Sequence, residues 1–328
     1  MSQPTRRVAL RAGWAGALAW SLWPQARAQT RFPERPITLL VPFAPGGIAD
    51  LTARAVAEHM ARTLGVAVVV ENRPSAGSIV ASQAVATARA DGHTLLLMSN
   101  ANAVSVGLFR RLPYDPLRDF APVSTLGFFD LGIFASASSR FATLAEALAW
   151  ARANPGKLNV GTIAPGSTQH LAAKLFETEA RIDALVVPYK GSPAVLTALR
   201  AGEIDLAFEV TGPMLPQVAA GAVKALAVTS AQRNPALPEV PTVQQSGVPG
   251  YDVASWNAIA APAGTPGEGV AVLNRAVREA VASASVRDKL GRAGMRLSAS
   301  TPAELQTLLA GEIRRWGEVI RAAKIEPE

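Results

Sequence analysis

The 328-residue sequence contains no cysteine and only three histidines. Without thiols there are no disulfides, no thiolate metal sites and no thiol nucleophile. His59, His93 and His170 are far apart, and none belongs to a His-x-x-x-His pair or a carboxylate cluster with metal-ligating spacing. Long apolar runs are also missing. The run from Ala12 to Trp23 falls short of the roughly 20 residues that span a bilayer, and no later segment reaches that length. Basic runs are missing as well: past residue 28 the only adjacent basic pairs are Arg110-Arg111 and Arg314-Arg315. Nothing alternates basic with aromatic residues as a nucleic-acid groove does. With 49% hydrophobic and 17% charged residues, the chain has what it needs to bury a core and is not a disordered polymer.

The formal charge of +7 would suggest a polyanionic partner if it were spread over the folded protein. It is not spread evenly. Residues 1–28 read as an export signal: Arg6 and Arg7 open it, the apolar run follows, and Ala26-Arg27-Ala28 places small residues where a signal peptidase cleaves, after Ala28. Thr5 to Arg11 also resembles a twin-arginine signal, and the general secretory and twin-arginine routes both stay open. That segment holds four arginines and no acid, so 28 basic residues face 25 acidic ones in the remainder, a charge of +3. The chain is expected to be exported.

The rest of the chain alternates strands with helices. Ile37 to Phe43, Val66 to Val70 and Thr94 to Met98 read as strands, with helices following Gly47 and spanning Ile79 to Ala88. The pattern resumes with strands Leu131 to Ala135, Leu158 to Thr162, Leu185 to Tyr189, Leu206 to Val210 and Ala225 to Thr229. Helices Thr143 to Ala153, Ser167 to Thr178 and Ser192 to Ala201 lie between them. A Pro- and Gly-rich stretch, Asn234 to Tyr251, precedes a strand at Trp256 to Ala260 and helices at Val270 to Ala282 and Pro302 to Ala323. This order predicts α/β architecture with parallel, doubly wound sheets. About 300 residues suit two lobes with a cleft between them.

Three small-residue loops follow strands. Ala44-Pro45-Gly46-Gly47-Ile48-Ala49-Asp50 lets backbone amides approach a ligand at a helix N-terminus, an anion cradle in form. A tight strand-to-helix connection without a ligand explains that motif equally well. Pro74 to Ser78 repeats the idea, as does Gly161 to Thr168, and ligands in open α/β sheets sit at this edge. Neither G-x-G-x-x-G nor a Walker lysine loop is present, which disfavours nucleotides. Hydroxyls and amides without an adjacent cation favour carboxylate recognition by neutral donors; Lys190 and Arg54, the nearest cations, are expected in solvated or structural roles. His170 follows Ser167 by three residues, but no G-x-S-x-G elbow supports a catalytic pair. Asp205 and Glu209 have no partner that would make an acid/base pair.

Pro36-Ile37-Thr38 through Pro42-Phe43-Ala44-Pro45-Gly46-Gly47 with Asp50 and Ala53-Arg54, then Glu71-Asn72-Arg73-Pro74, resemble the Bug family, the extracytoplasmic solute receptors of tripartite tricarboxylate transporters. Val187 to Gly191, Ala225 to Ser230, Leu237 to Thr242 and Ala261 to Pro266 extend the resemblance over essentially the whole chain after the leader. The resemblance implies a type II periplasmic-binding-protein-like fold, each lobe a doubly wound, mainly parallel sheet with flanking helices. Lobe 1 would comprise 29–128 plus 252–328, and lobe 2 129–251. It implies no catalysis, cofactor or metal, and a monomer that binds a small organic acid or amino acid for membrane permease subunits or a sensor protein.

By this resemblance the ligand-binding residues are Phe43, Ala44, Gly46, Gly47, Ile48 and Asp50 from the first loop and Ser75, Ala76 and Ser78 from the second. Thr162, Gly166, Ser167, Thr168, His170, Tyr189 and Glu209 come from the other lobe. Asp50 is expected to organise its loop. The Ser75-Ala76-Gly77-Ser78 stretch is less glycine-rich than the family's usual form, and Glu209 stands where many members have Asp. Glu209 would pair with a ligand amino group or disfavour a second carboxylate. Two alternatives stay open: a sensor without a dedicated permease, and a secreted α/β hydrolase.

Overall fold

Five consecutive apolar or branched residues, Ile37–Val41 (β1), leave no polar face for water, and the strand is buried between two parallel neighbours. The neighbours are Val68–Asn72 (β2) and Thr94–Ser99 (β3). This computed structural model describes residues 32–165, 167–322 and 325–327; the expected leader, residues 1–28, and Gly166 lie outside them. After β1 the chain enters Ile48–Leu64 (α1), which buries Ala49, Ala53, Val56 and Met60 at helical spacing. Gly65 ends the helix at φ 71, its N–H bonded to Ala61 O, in a left-handed conformation that costs glycine little.

Helices Ile79–Ala86 (α2) and Asn100–Leu108 (α3) flank β3, and a 17-residue strand, Phe120–Ser136 (β4), follows. The second half begins with Leu144–Ala153 (α4), Leu158–Ile163 (β5), Thr168–Glu179 (α5), Ala184–Tyr189 (β6) and Ser192–Ala201 (α6). Leu206–Val210 (β7), Thr211–Ala219 (α7) and Val223–Val228 (β8) complete it. Ala254–Pro262 (β9) returns to the first half, followed by Gly267–Ala282 (α8), Ala284–Arg292 (α9), Met295–Leu297 (β10) and Pro302–Ala322 (α10).

The strands run in the order β2-β1-β3-β9-β4-β7-β5-β6, with β8 and β10 also on β4. Two parallel blocks, β2-β1-β3 and β6-β5-β7, share one internal order and flank an antiparallel seam. Residues 120–130 of β4 pair with β9 and β10, and residues 131–136 pair with β7 and β8. Each half therefore joins a parallel block to the antiparallel seam, within the expected α/β architecture. β4 and β9 carry the chain between halves and must run back against their neighbours. Register shifts at Pro122/Ser124, Thr125/Gly127 and Ile133/Phe134 bend the long strand.

The sequence had marked only residues 131–135 of β4, because Pro122 and Gly127 interrupt its apolar run. A Cβ on Gly127 would lie 2.6 Å from Arg296 O, so glycine there lets β10 pair. Helix α3 also escaped: seven of its nine residues are buried, leaving no amphipathic period to read. The main core cluster runs through both halves, with a smaller one beneath α6 and α7. Among the described residues no helix is long and apolar enough to cross a membrane.

The N-terminus of α7 touches the turn between α9 and β10 backbone to backbone: a Cβ added to Gly212 would fall 1.4 Å from Ala293 O. No rotamer change relieves such a clash. Gly212→Ala is expected to cost about 1–3 kcal/mol through overpacking, read as a lowered melting temperature; an unchanged value would mean this contact is loose in solution.

Candidate ligand-binding cleft

The C-terminal ends of β1, β2, β3, β5 and β6 open on one cleft, enclosing about 740 Å³ of non-protein space including its mouth. Residues 42–45 and 47–49, with Pro74, Ser75 and Ser99, form one wall. Ile163, Ala164, Thr168, Gln169 and residues 190–193 form the other, and Phe129, Ser255 and Asn257 come from the seam. The walls meet: Gly77 N–H donates to Pro165 O (3.4 Å), and Asn100 Nδ2 donates to Thr168 Oγ1 (3.4 Å).

Four helices begin on this surface. Gly47 precedes α1 and Gly191 precedes α6, neither with a side-chain cap, so the first-turn amides of both helices remain available. Ser99 caps α3 and Ser167 caps α5. Each N-terminus carries about half a positive elementary charge, and among the described residues no Asp or Glu lines the cleft. The one charged side chain among the described wall residues is Lys190. The sequence assigns it a solvated or structural role, and the residue is exposed where it borders the cleft.

The first loop owes its shape to the motif's polar residues. Asp50 Oδ2 accepts from Gly46 N–H (3.1 Å) and Arg54 Nε (3.0 Å), while Asn72 Nδ2 donates to Asp50 Oδ1 and to Phe43 O, both at 3.0 Å. Burial pushes the Asp50 carboxyl upward, but the bonds from Arg54, Gly46 and Asn72 outweigh it and hold it below the usual carboxylate range. Asp50 is thus an ionised clamp under the loop, and Arg54 pairs with it at 2.9 Å.

Of the sequence-predicted residues, Phe43, Ala44, Gly47, Ile48, Ser75 and Thr168 are on the wall. Gly46, Asp50, Ala76, Ser78, Thr162, Ser167, His170, Tyr189 and Glu209 are not, and Gly166 lies outside the described residues. Ser78 is buried at φ 62 in the turn before α2, and Thr162 Oγ1 bonds Ile163 O. Ser167 Oγ accepts the backbone N–H of His170, so that serine caps a helix and makes no bond to the ring. His170 is pushed down to about 4, by burial first and the Lys174 charge second, and is neutral at pH 7. Tyr189 packs against the smaller core cluster.

Glu209 lies one layer behind the wall and is 1% exposed. Its Oε2 accepts from Ser192 Oγ (2.9 Å) and Val210 N–H (3.2 Å). Burial pushes its carboxyl up to about 7, with Ser192, Val210 and Gln169 only partly opposing. Sequence reasoning missed Ser99, Gln169, Ser192, Ser255 and Asn257. Ser255 and Asn257 sit inside an apolar strand, and only their alternation with Trp256 and Ala258 separates the two faces.

A sheet in two halves, with helix N-termini converging on the cleft between them, is the architecture of a periplasmic binding protein. BugD has this fold at a TM-score of 0.86 and 31% identity, covering 90% of this chain and all of that one. MatC from Rhodopseudomonas palustris with bound malate superposes at 0.83 with 34% identity, over 88% of this chain and all of its own. An R. palustris protein with adipate superposes at 0.86 with 35% identity, over 90% and 100%. BugT of Bordetella pertussis is 35% identical over 292 residues, 88% of this chain and 90% of its own. A UPF0065 protein from the tcbD-tcbE intergenic region of Pseudomonas sp. strain P51 is 38% identical over 297 residues, 90% and 88% of the two chains.

The model of the tripartite tricarboxylate transporter family receptors matches residues 52–325. The chain belongs to that family, the Bug receptors that its motifs resemble. It is a receptor for a small solute, and its relatives are binding proteins rather than enzymes.

A Cβ on Gly47 meets nothing nearer than Ala44 O at 4.0 Å, so Gly47→Val should fold normally and fill the cleft. Retained affinity for an acid that stabilises the wild type would sink the first-loop assignment. For Glu209 the sign is set by its raised value: the folded state favours the protonated form, so its stabilising contribution is largest below about pH 4.5 and is lost as pH rises to about 7. Glu209→Gln should flatten that part of the melting-temperature profile, and parallel profiles for the two proteins would refute the assignment.

Proposed function

We propose that this receptor is exported, cleaved after Ala28, and captures a small carboxylate in the periplasm for delivery to a tripartite tricarboxylate-type permease. The observation that carries the reading is the cleft's electrostatics: four helix N-termini and Lys190 on the wall, with no carboxylate among the described lining residues. Such a wall favours an anion and offers no counter-charge to an ammonium group, so an organic acid fits better than an amino acid. The malate and adipate bound by the two R. palustris neighbours support the same class. Two lobes, 29–128 with 252–328 and 129–251, would close on the ligand by a hinge in β4 and β9.

A thermal-shift screen of the protein without its leader, against mono-, di- and tricarboxylates, amino acids and neutral sugars, tests this. A carboxylate at 100 times its Kd is expected to stabilise by about 2.7 kcal/mol. A sugar or peptide that raises the melting temperature when no acid does would overturn the ligand class. Uptake of the stabilising acid should disappear in cells lacking this chain; undiminished uptake would remove the permease from the account.

A further inference from the structure

Asn257 lines the cleft at 1% exposure, and neither its Nδ2 nor its Oδ1 bonds any described protein group. A buried amide left without partners is costly, and folded proteins rarely keep one without a reason. Its position explains the orphaning. Asn257 pairs across the strands with Ser99, at the end of β3 where α3 begins, and both side chains border the space a ligand would fill.

The two amide atoms ask for different things. Nδ2 can donate to a carboxylate, but Oδ1 can only accept, and a carboxylate has nothing to give it. The neighbouring hydroxyls Thr168 Oγ1 and Ser255 Oγ bond one another at 2.7 Å, and neither bonds Asn257. A ligand ammonium could donate, but the helix N-termini and Lys190 oppose a positive charge there. An uncharged O–H or N–H on the ligand meets both demands.

We propose that Asn257 is a specificity-determining residue, selecting acids that carry a neutral hydroxyl or amide donor over their unsubstituted analogues. The proposal rests on the carboxylate reading above and narrows it to hydroxy or amido acids. Glu209 does not compete for this role, because it lies behind Ser192 rather than on the wall.

Matched pairs test the proposal by calorimetry: succinate against malate and glutarate against 2-hydroxyglutarate for a hydroxyl, propionate against succinamate for an amide. The wild type should bind at least one substituted member about tenfold more tightly than its partner, the scale of one or two hydrogen bonds. Asn257→Leu should bring that ratio close to one, while the ligand-free protein melts at the same temperature or higher, because an unpartnered polar group has been replaced by an apolar one of similar size. If Asn257→Leu does not fold, Asn257→Ser takes its place and should reduce the ratio. Equal affinities in the wild type, or a ratio that survives in the variant, overturn the proposal. A fall in melting temperature with an unchanged ratio also overturns it and assigns Asn257 to packing. If no acid binds at all, the carboxylate reading fails first and takes this inference with it.

Discussion

Strand β4 hydrogen-bonds to four others, two along its first part and two along its second. The two parallel blocks have no strand pairing with each other, so their relative placement passes through this one ladder and through β9 beside it. The register shifts within β4 bend the strand and raise its local twist where the two halves join. Every geometric relation across the cleft, from Gly77 with Pro165 to Asn100 with Thr168, depends on where the seam sets the two halves.

The blocks themselves explain why the cleft attracts anions with so little formal charge. In each, parallel strands end where helices begin, so the topology that builds the sheets also gathers unpaired amides on one edge. The side chains added to this edge are mostly supports. Asp50, Arg54 and Asn72 fix the first loop from behind, and Ser192 is held from behind by Glu209. Among the described lining residues, Lys190 supplies the one formal charge.

Much of this was legible in the sequence. Apolar runs marked β1, β3 and β5 through β8, because in those places local pattern and burial agree. The first loop was legible for the same reason: Pro45-Gly46-Gly47 cannot be strand or helix interior, and Asp50 follows at the spacing that lets it reach Gly46. What escaped depends on long-range pairing. The first part of β4 is a strand because β9 and β10 pair with it, β10 has three residues, and α3 is buried on too many sides to show a period. Ser255 and Asn257 were hidden in a strand whose polar positions gain meaning only once the opposite wall is in place.

The floor of the cleft is tied to the far end of the chain. Trp316 Nε1 in α10 donates to Asn100 Oδ1 (2.8 Å) and Glu312 Oε2 (3.0 Å), and Asn100 passes the link on to Thr168. Ser255 and Asn257 arrive with β9, long after the loop that begins at Pro42. The two parallel blocks by themselves therefore do not make the cleft: its floor comes with β9 and the brace beneath it with α10.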